Sequence, residues 1–231
     1  YLAALPHYRS KAHSAADGLD PLARLLAAGR EAFAEHMARP ALAAFWWPKF
    51  ERVARWFLAA ERARPQPAHS FVETKGVLTF AAPGGSFTLT ARADRLDRHK
   101  DGTLTLIDYK TGALPKTPEV QLGFAPQLPL EAAIAAAGGF SEVGAAPIGA
   151  LEYWRLSGGD PAGEIKPIAE GEAARALAAE ALSGLQRLVA RFDDPDTGYA
   201  ARPRPDYGPR YSDYAHLARV LEWATPDGGE E

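Results

Sequence analysis

The chain predicts an α/β fold in which a mixed β-sheet is flanked by helices, with helices ahead of the sheet and an extended tail behind it. Three observations carry this expectation. Apolar residues recur at steps of three and four from Asp20 to about Met37, and again after Pro40. From Phe71 the period changes to two, in stretches rich in Val, Phe, Thr and Leu that glycine turns interrupt. Beyond Pro126 an alanine-rich helical stretch leads into one more apolar strand, and a strand reached through a crossover helix runs parallel to the one it left.

The first helix carries Leu22, Leu25, Leu26, Gly29 and Phe33 on one face, and Asp20 before Pro21 is an N-cap followed by proline at the first helical position. The second presents Leu42, Phe45, Trp46, Phe50, Val53 and Phe57 and ends before Pro65 and Pro67; Pro48 kinks it or marks its true start. Three strands follow as a meander: Phe71–Phe80, Ser86–Ala93 after the turn Ala82-Pro83-Gly84-Gly85, and Thr103–Lys110 after Asp101-Gly102. Pro126–Ala137 is a helix closed by Gly138-Gly139, Pro147–Leu156 a strand, and Glu170–Phe192 a long amphipathic helix bearing Leu177, Leu185, Leu188 and Phe192. The tail from Asp193 to Arg210 is expected to be extended, ahead of a short helix near Tyr211–Trp223.

We take residues 1–231 as one domain, with a helical part at 1–65, a sheet core at 70–156 and a C-terminal helix and tail at 157–231. The 47% hydrophobic share is enough for a buried core, and no apolar run reaches the length of a membrane span. Cysteine is absent, which excludes disulfides, thiolate zinc sites and an iron–sulfur cluster, and leaves oxygen and imidazole as metal ligands; a cytoplasmic setting is the mild inference. The net charge of −3 means that any nucleic-acid binding must rest on a local basic surface. A first residue other than Met, with His7 and His13 in an irregular stretch, suggests a segment of a longer chain.

Two short stretches carry chemistry. In the strand ending at Asp94, Thr88, Thr90, Arg92 and Asp94 share one face. In the next, Asp108 and Lys110 are two apart and point to the same side, which sets a carboxylate beside an ammonium. Whether Asp94 meets Asp108 depends on the register of the two strands. Glu73, in the preceding strand, is a further candidate and equally a plain surface residue. Asp97 faces away from Asp94 by strand parity and is expected to be structural, capping the turn or pairing with Arg95 or Arg98. His36, His69 and His99 are expected in solvent, His216 within the tail helix, and Trp46 and Trp47 in a helical core.

Three ordered motifs, Ala93-Asp94-Arg95-Leu96-Asp97, Ile107-Asp108-Tyr109-Lys110-Thr111-Gly112 and Gln127-Leu128-Pro129-Leu130, resemble the series of the PD-(D/E)xK nuclease superfamily, in particular its RecB/AddB-like branch. The segment Asp213–Val220 is similar to the C-terminal ends of AddB subunits. The resemblance implies a restriction-endonuclease-like core and a Mg²⁺-dependent deoxyribonuclease, with Mn²⁺ able to substitute. It implies Asp94, Asp108 and the Tyr109 main-chain carbonyl as metal ligands, Lys110 as the residue that orients or helps deprotonate the attacking water, and Gln127 as a support for the site. It further implies single-stranded DNA as substrate, double-strand break repair as setting and an AddA-type helicase/nuclease subunit as partner. The family's Gly-x-x-x-His helix aligns with Ala3-Ala4-Leu5-Pro6-His7, which keeps the histidine, lacks the glycine and carries Pro6; His7 is the implied further metal ligand. Glu131 stands where the family has tyrosine. The rival expectation is the same fold with a weakened metal site, kept as a module that binds DNA or a partner.

Overall fold

The structure, a computed structural model, describes residues 20–34 and 39–199. Helix α1 (Pro21–Ala32) and helix α2 (Pro40–Ala63) come first, each with proline in its first turn. Strands β1 (His69–Ala82), β2 (Gly85–Arg98) and β3 (Leu104–Lys110) form the meander. A five-residue helix α3 (Thr117–Gln121) and helix α4 (Gln127–Ala136) cross to β4 (Ile148–Leu156), which is followed by β5 (Gly163–Glu170) and helix α5 (Gly171–Phe192).

The five strands lie in the order β1-β2-β3-β4-β5. The pairs β1/β2, β2/β3 and β4/β5 are antiparallel, and β3/β4 is parallel because α4 carries the chain back across the sheet. This mixed sheet flanked by helices agrees with the restriction-endonuclease-like core that the motifs imply. Each face of the sheet has its own core. On one, Leu96, Leu104, Leu106, Leu151 and Tyr153 pack against Leu128, Ala132 and Ile134 of α4 and Ala174, Leu177 and Ala178 of α5. On the other, Ile107, Tyr109, Trp154 and Leu156 meet Phe50, Val53, Ala54 and Phe57 of α2, with Leu25 of α1 behind them. Gly29 lets α1 cross α2 closely, since a Cβ there would lie 2.1 Å from the Phe50 ring.

A buried polar system is set into the second core. Arg95 is fully buried and forks onto Glu61 of α2, with Nη1 donating to Oε1 at 2.6 Å, while Nε donates to Asp97 Oδ1 at 2.8 Å. Nη1 also donates to the Tyr109 hydroxyl at 3.1 Å. Arg64 reaches Asp97 from the end of α2 at 3.3 Å, and Trp154 Nε1 donates to Glu152 at 2.8 Å. Asp97 is thus structural, as strand parity predicts, and it pairs with Arg95 and Arg64 across the face opposite Asp94.

Several expectations need correction. The strand β5 and the short helix α3 have no counterpart in the sequence reading. Strand β5 contains Pro167, which an edge strand tolerates because one row of its N–H groups faces away from the sheet. Pro48 does not mark the start of α2, which begins at Pro40 and runs through it. Trp46 stays 42% exposed rather than entering the core, whereas Trp47 packs on Phe50 at 5.5 Å. His99 is half-buried, with Nε2 2.8 Å from Thr105 Oγ1, while His69 is exposed as expected. The expected elements of the tail beyond Tyr199, and His7, His13, His36 and His216, lie outside the described residues. Among the described residues no helix is long and apolar enough to cross a membrane.

Because Arg95 neutralises Glu61 and Asp97 in a buried setting, Arg95→Ala should lower unfolding free energy by about 3–5 kcal/mol in urea titrations, far more than an exposed arginine would. A loss under about 1 kcal/mol would show the ion pairs to be incidental.

Candidate active site

The site lies where β2 and β3 part. Their pairing runs from Arg98↔Leu104 to Arg95↔Ile107, and one step further the same register sets Asp94 opposite Asp108. There the ladder ends, and the next N–H of β3, that of Tyr109, donates to the Asp94 carboxylate Oδ2 at 2.8 Å. The side chain of Asp94 takes the place of a main-chain acceptor. Beyond this fork β2 continues only with β1, and the opening is left for side chains.

Alternation then sorts the residues. Asp94 and Asp108 emerge on the α4 face, beyond Leu96 and Leu106, while Arg95 and Tyr109 turn to the α2 face. Asp108 is 1% exposed, and Lys110, two residues on, projects beside it with Nζ 3.0 Å from Oδ1 and 2.8 Å from Oδ2. Helix α4 begins with Gln127, whose Oε1 accepts from Lys110 Nζ at 3.1 Å. One turn later Glu131, buried, accepts from Gln127 Nε2 at 3.1 Å. The Lys110 ammonium also sits over the Tyr153 ring at 5.9 Å, Tyr153 being the β4 partner of Asp108.

Three carboxyl groups are therefore crowded around one lysine, and burial governs all of them. Burial raises the Asp94 carboxyl above its ordinary value, against the pull of the Tyr109 N–H and of Lys110 and Arg92. Asp108 is pushed up to about 6, first by burial and further by the charge of Asp94, despite the hydrogen bond from Lys110. Glu131 is pushed up to about 8 by burial, with Asp108 and Asp94 adding to it. The Tyr153 hydroxyl is raised as well, by burial and by Asp108 and Glu131.

Crowded, underneutralised carboxylates suit a hard cation. Asp108 Oδ2 is buried and accepts no hydrogen bond, although it lies in ion-pair range of Lys110. Among the described residues no three His, Cys, Asp or Glu side chains converge as a ready-made metal cage. Two aspartates with water and phosphate oxygens form the donor set that Mg²⁺ accepts, since it retains much of its hydration shell.

Of the residues expected at the site, Asp94, Asp108, Lys110 and Gln127 come together. Tyr109 is at the fork with its N–H engaged by Asp94, and its ring lies across the sheet against Phe57 and Trp154. His7 lies outside the described residues. Glu73 stands across β1 from Asp94, in a left-handed conformation (φ 53°), with its carboxylate on Arg92 at 2.8 Å. Glu131 and Tyr153 belong to the site and were not foreseen there. The i, i+4 spacing from Gln127 was the available signal for Glu131; Tyr153 had none, because its proximity depends on the β3/β4 register.

The family model of the PD-(D/E)XK nuclease superfamily matches residues 3–207. An uncharacterized protein of Rickettsia bellii is 30% identical over 97 residues, 42% of this chain and 12% of its own length. One from Rickettsia conorii is 36% identical over 72 residues, 31% of this chain and 9% of its own. The chain thus spans only about a tenth of the curated relatives it matches. A solved structure described as "Crystal structure of SSO0001" is similar at a TM-score of 0.31 and 17% identity, over 80% of this chain and 73% of that one, a likeness too slight to support an argument.

A carboxyl held above its ordinary value favours the fold in its protonated form, so its contribution is full at low pH and is lost as pH rises through the folded-state value. With Asp108 near 6 and Glu131 near 8, the metal-free unfolding midpoint should fall as pH rises from about 4 to 8. Glu131→Gln should flatten the upper part of that fall. Calorimetric scans across this range check it, and a midpoint that rises toward pH 8 in both proteins would contradict the burial account.

Proposed function

The chain belongs to the PD-(D/E)XK nuclease superfamily, and from that premise we propose that it is a divalent-metal-dependent deoxyribonuclease acting on single-stranded DNA. The observation that carries this reading is the convergence of Asp94, Asp108 and Lys110 at the β2/β3 fork. We assign Asp94, Asp108 and the Tyr109 main-chain carbonyl as the ligands of Mg²⁺, with Mn²⁺ as a substitute and His7 as a further ligand. When bound, the cation polarises the phosphate and makes its water a stronger nucleophile.

The protein residues supply orientation and charge. Lys110 is held between Asp108 and Gln127, with its side chain 31% exposed, so its ammonium is fixed and open to solvent on one side. From there it can hold the attacking water and stabilise charge developing on phosphate oxygens. The main-chain N–H groups at the start of α4, beside Gln127, favour an approaching phosphate. The anionic balance of the whole chain calls for a local contact surface, in which Lys110 and Arg92 at the fork take part.

The finer reading is a nuclease segment that cuts strands delivered by an AddA-type helicase partner during double-strand break repair, in the cytoplasm. The AddB-like motif order and the Asp213–Val220 segment support it, as does the lack of cysteine for the cellular setting.

With Mg²⁺ or Mn²⁺ the protein should shorten end-labelled single-stranded DNA, and Lys110→Ala should lose activity by at least about 100-fold while remaining folded. Divalent metal should raise the midpoint of the parent protein and leave that of Asp108→Asn unmoved. Uncut DNA together with a midpoint indifferent to metal would instead favour a module that binds DNA or a partner.

A further inference from the structure

Gln127 is exposed, yet both ends of its amide are engaged. An exposed glutamine held at one end only would sample several rotamers, and the oxygen it offers Lys110 would move with it. The second hold comes from Glu131, which is 3% exposed among the buried residues of α4. Its carboxyl oxygen accepts from Nε2 whether or not the group is protonated, so the hold survives a change of charge. Because the Lys110 ammonium can only donate, the amide turns its carbonyl to Lys110, which leaves its NH₂ for Glu131. The result is one chain of contacts, Glu131 to Gln127 at 3.1 Å, Gln127 to Lys110 at 3.1 Å and Lys110 to Asp108 at 3.0 Å, running from the interior of α4 to the fork.

We propose that Glu131 is a positioning residue, which acts through the Gln127 amide to hold the Lys110 ammonium against Asp108. This deepens the nuclease reading and rests on it for the catalytic consequence alone; the positioning itself does not depend on what the site cleaves. Burial of a third carboxyl beside two aspartates has an electrostatic cost, and an apolar side chain at 131 would avoid it. Glu131→Leu should therefore match or exceed the parent in thermal midpoint while loosening the site.

The experiment compares the full chain with Glu131→Leu, Glu131→Gln, Gln127→Ala and the Gln127→Ala/Glu131→Leu double variant. The first readout is the side-chain amide pair of Gln127 in ¹H–¹⁵N spectra without metal, assigned by its disappearance in Gln127→Ala. Glu131→Leu should move that pair toward the position of free glutamine amides, and Glu131→Gln, which keeps an acceptor, should leave it near the parent. The second readout is single-strand cleavage with Mg²⁺. Glu131→Leu should lower kcat roughly tenfold with KM for DNA unchanged, Glu131→Gln should restore most of that turnover, and the double variant should be no slower than Gln127→Ala. An amide pair that stays in place in Glu131→Leu overturns the proposal, as do losses that simply multiply in the double variant. If Glu131→Leu does not fold, Glu131→Ala is judged by the same two readouts. A parent that cuts no DNA and whose midpoint is indifferent to metal refutes the nuclease reading, and the amide spectra still decide the role of Glu131.

Discussion

At the β2/β3 fork the Tyr109 N–H finds its acceptor in the side chain of Asp94, not in the main chain of β2. A backbone donor at the end of a ladder, beside a buried residue, needs a partner. By supplying one from a carboxylate, β2 is free to leave β3 and run on with β1 alone. Asp108, Lys110 and the start of α4 meet beside this fork.

The period-two geometry of the same strands makes two polar systems back to back. Asp94 and Asp108 emerge on the α4 face, and their chain neighbours Arg95 and Tyr109 emerge on the α2 face. The two systems differ in their charge logic. Around Arg95 the carboxylates of Glu61 and Asp97 are matched by two guanidiniums, the fully buried Arg95 and the partly buried Arg64. At the fork, three carboxyl groups share one half-exposed lysine, and burial raises all three above their ordinary values. The first arrangement balances two carboxylates with two guanidiniums and ties β2 to α2; the second is short of positive charge, which is the condition for recruiting a cation or a phosphate-bound metal.

Much of the architecture was legible because the relevant signals are local. The step of three and four in Leu22, Leu25 and Leu26, the alternation from Thr88 to Asp94, and the turns at Gly84-Gly85 and Asp101-Gly102 place these elements, although β2 runs on to Arg98, five residues past the expected end at Ala93. Strand β5 escaped because Gly163–Glu170 is polar at several positions and interrupted by Pro167, so it has neither a clean period nor an apolar run. Trp46 misled for a related reason: a helix at a domain margin can carry apolar residues around more of its circumference than its packing buries.

By itself the sequence determined which side chains share a face: Asp108 with Lys110, Asp94 with Arg92, Asp97 turned away, and Gln127 one helical turn before Glu131. These follow from the repeat of a strand or a helix and need no distant partner. The tertiary structure decided which faces meet. That Asp94 stands opposite Asp108 depends on the β2/β3 register, that Gln127 reaches Lys110 depends on how α4 crosses the sheet, and that Tyr153 lies beneath Lys110 depends on the parallel pairing of β3 with β4. The carboxyl values depend on it too, because desolvation is a property of everything packed around a group and not of its neighbours in the chain.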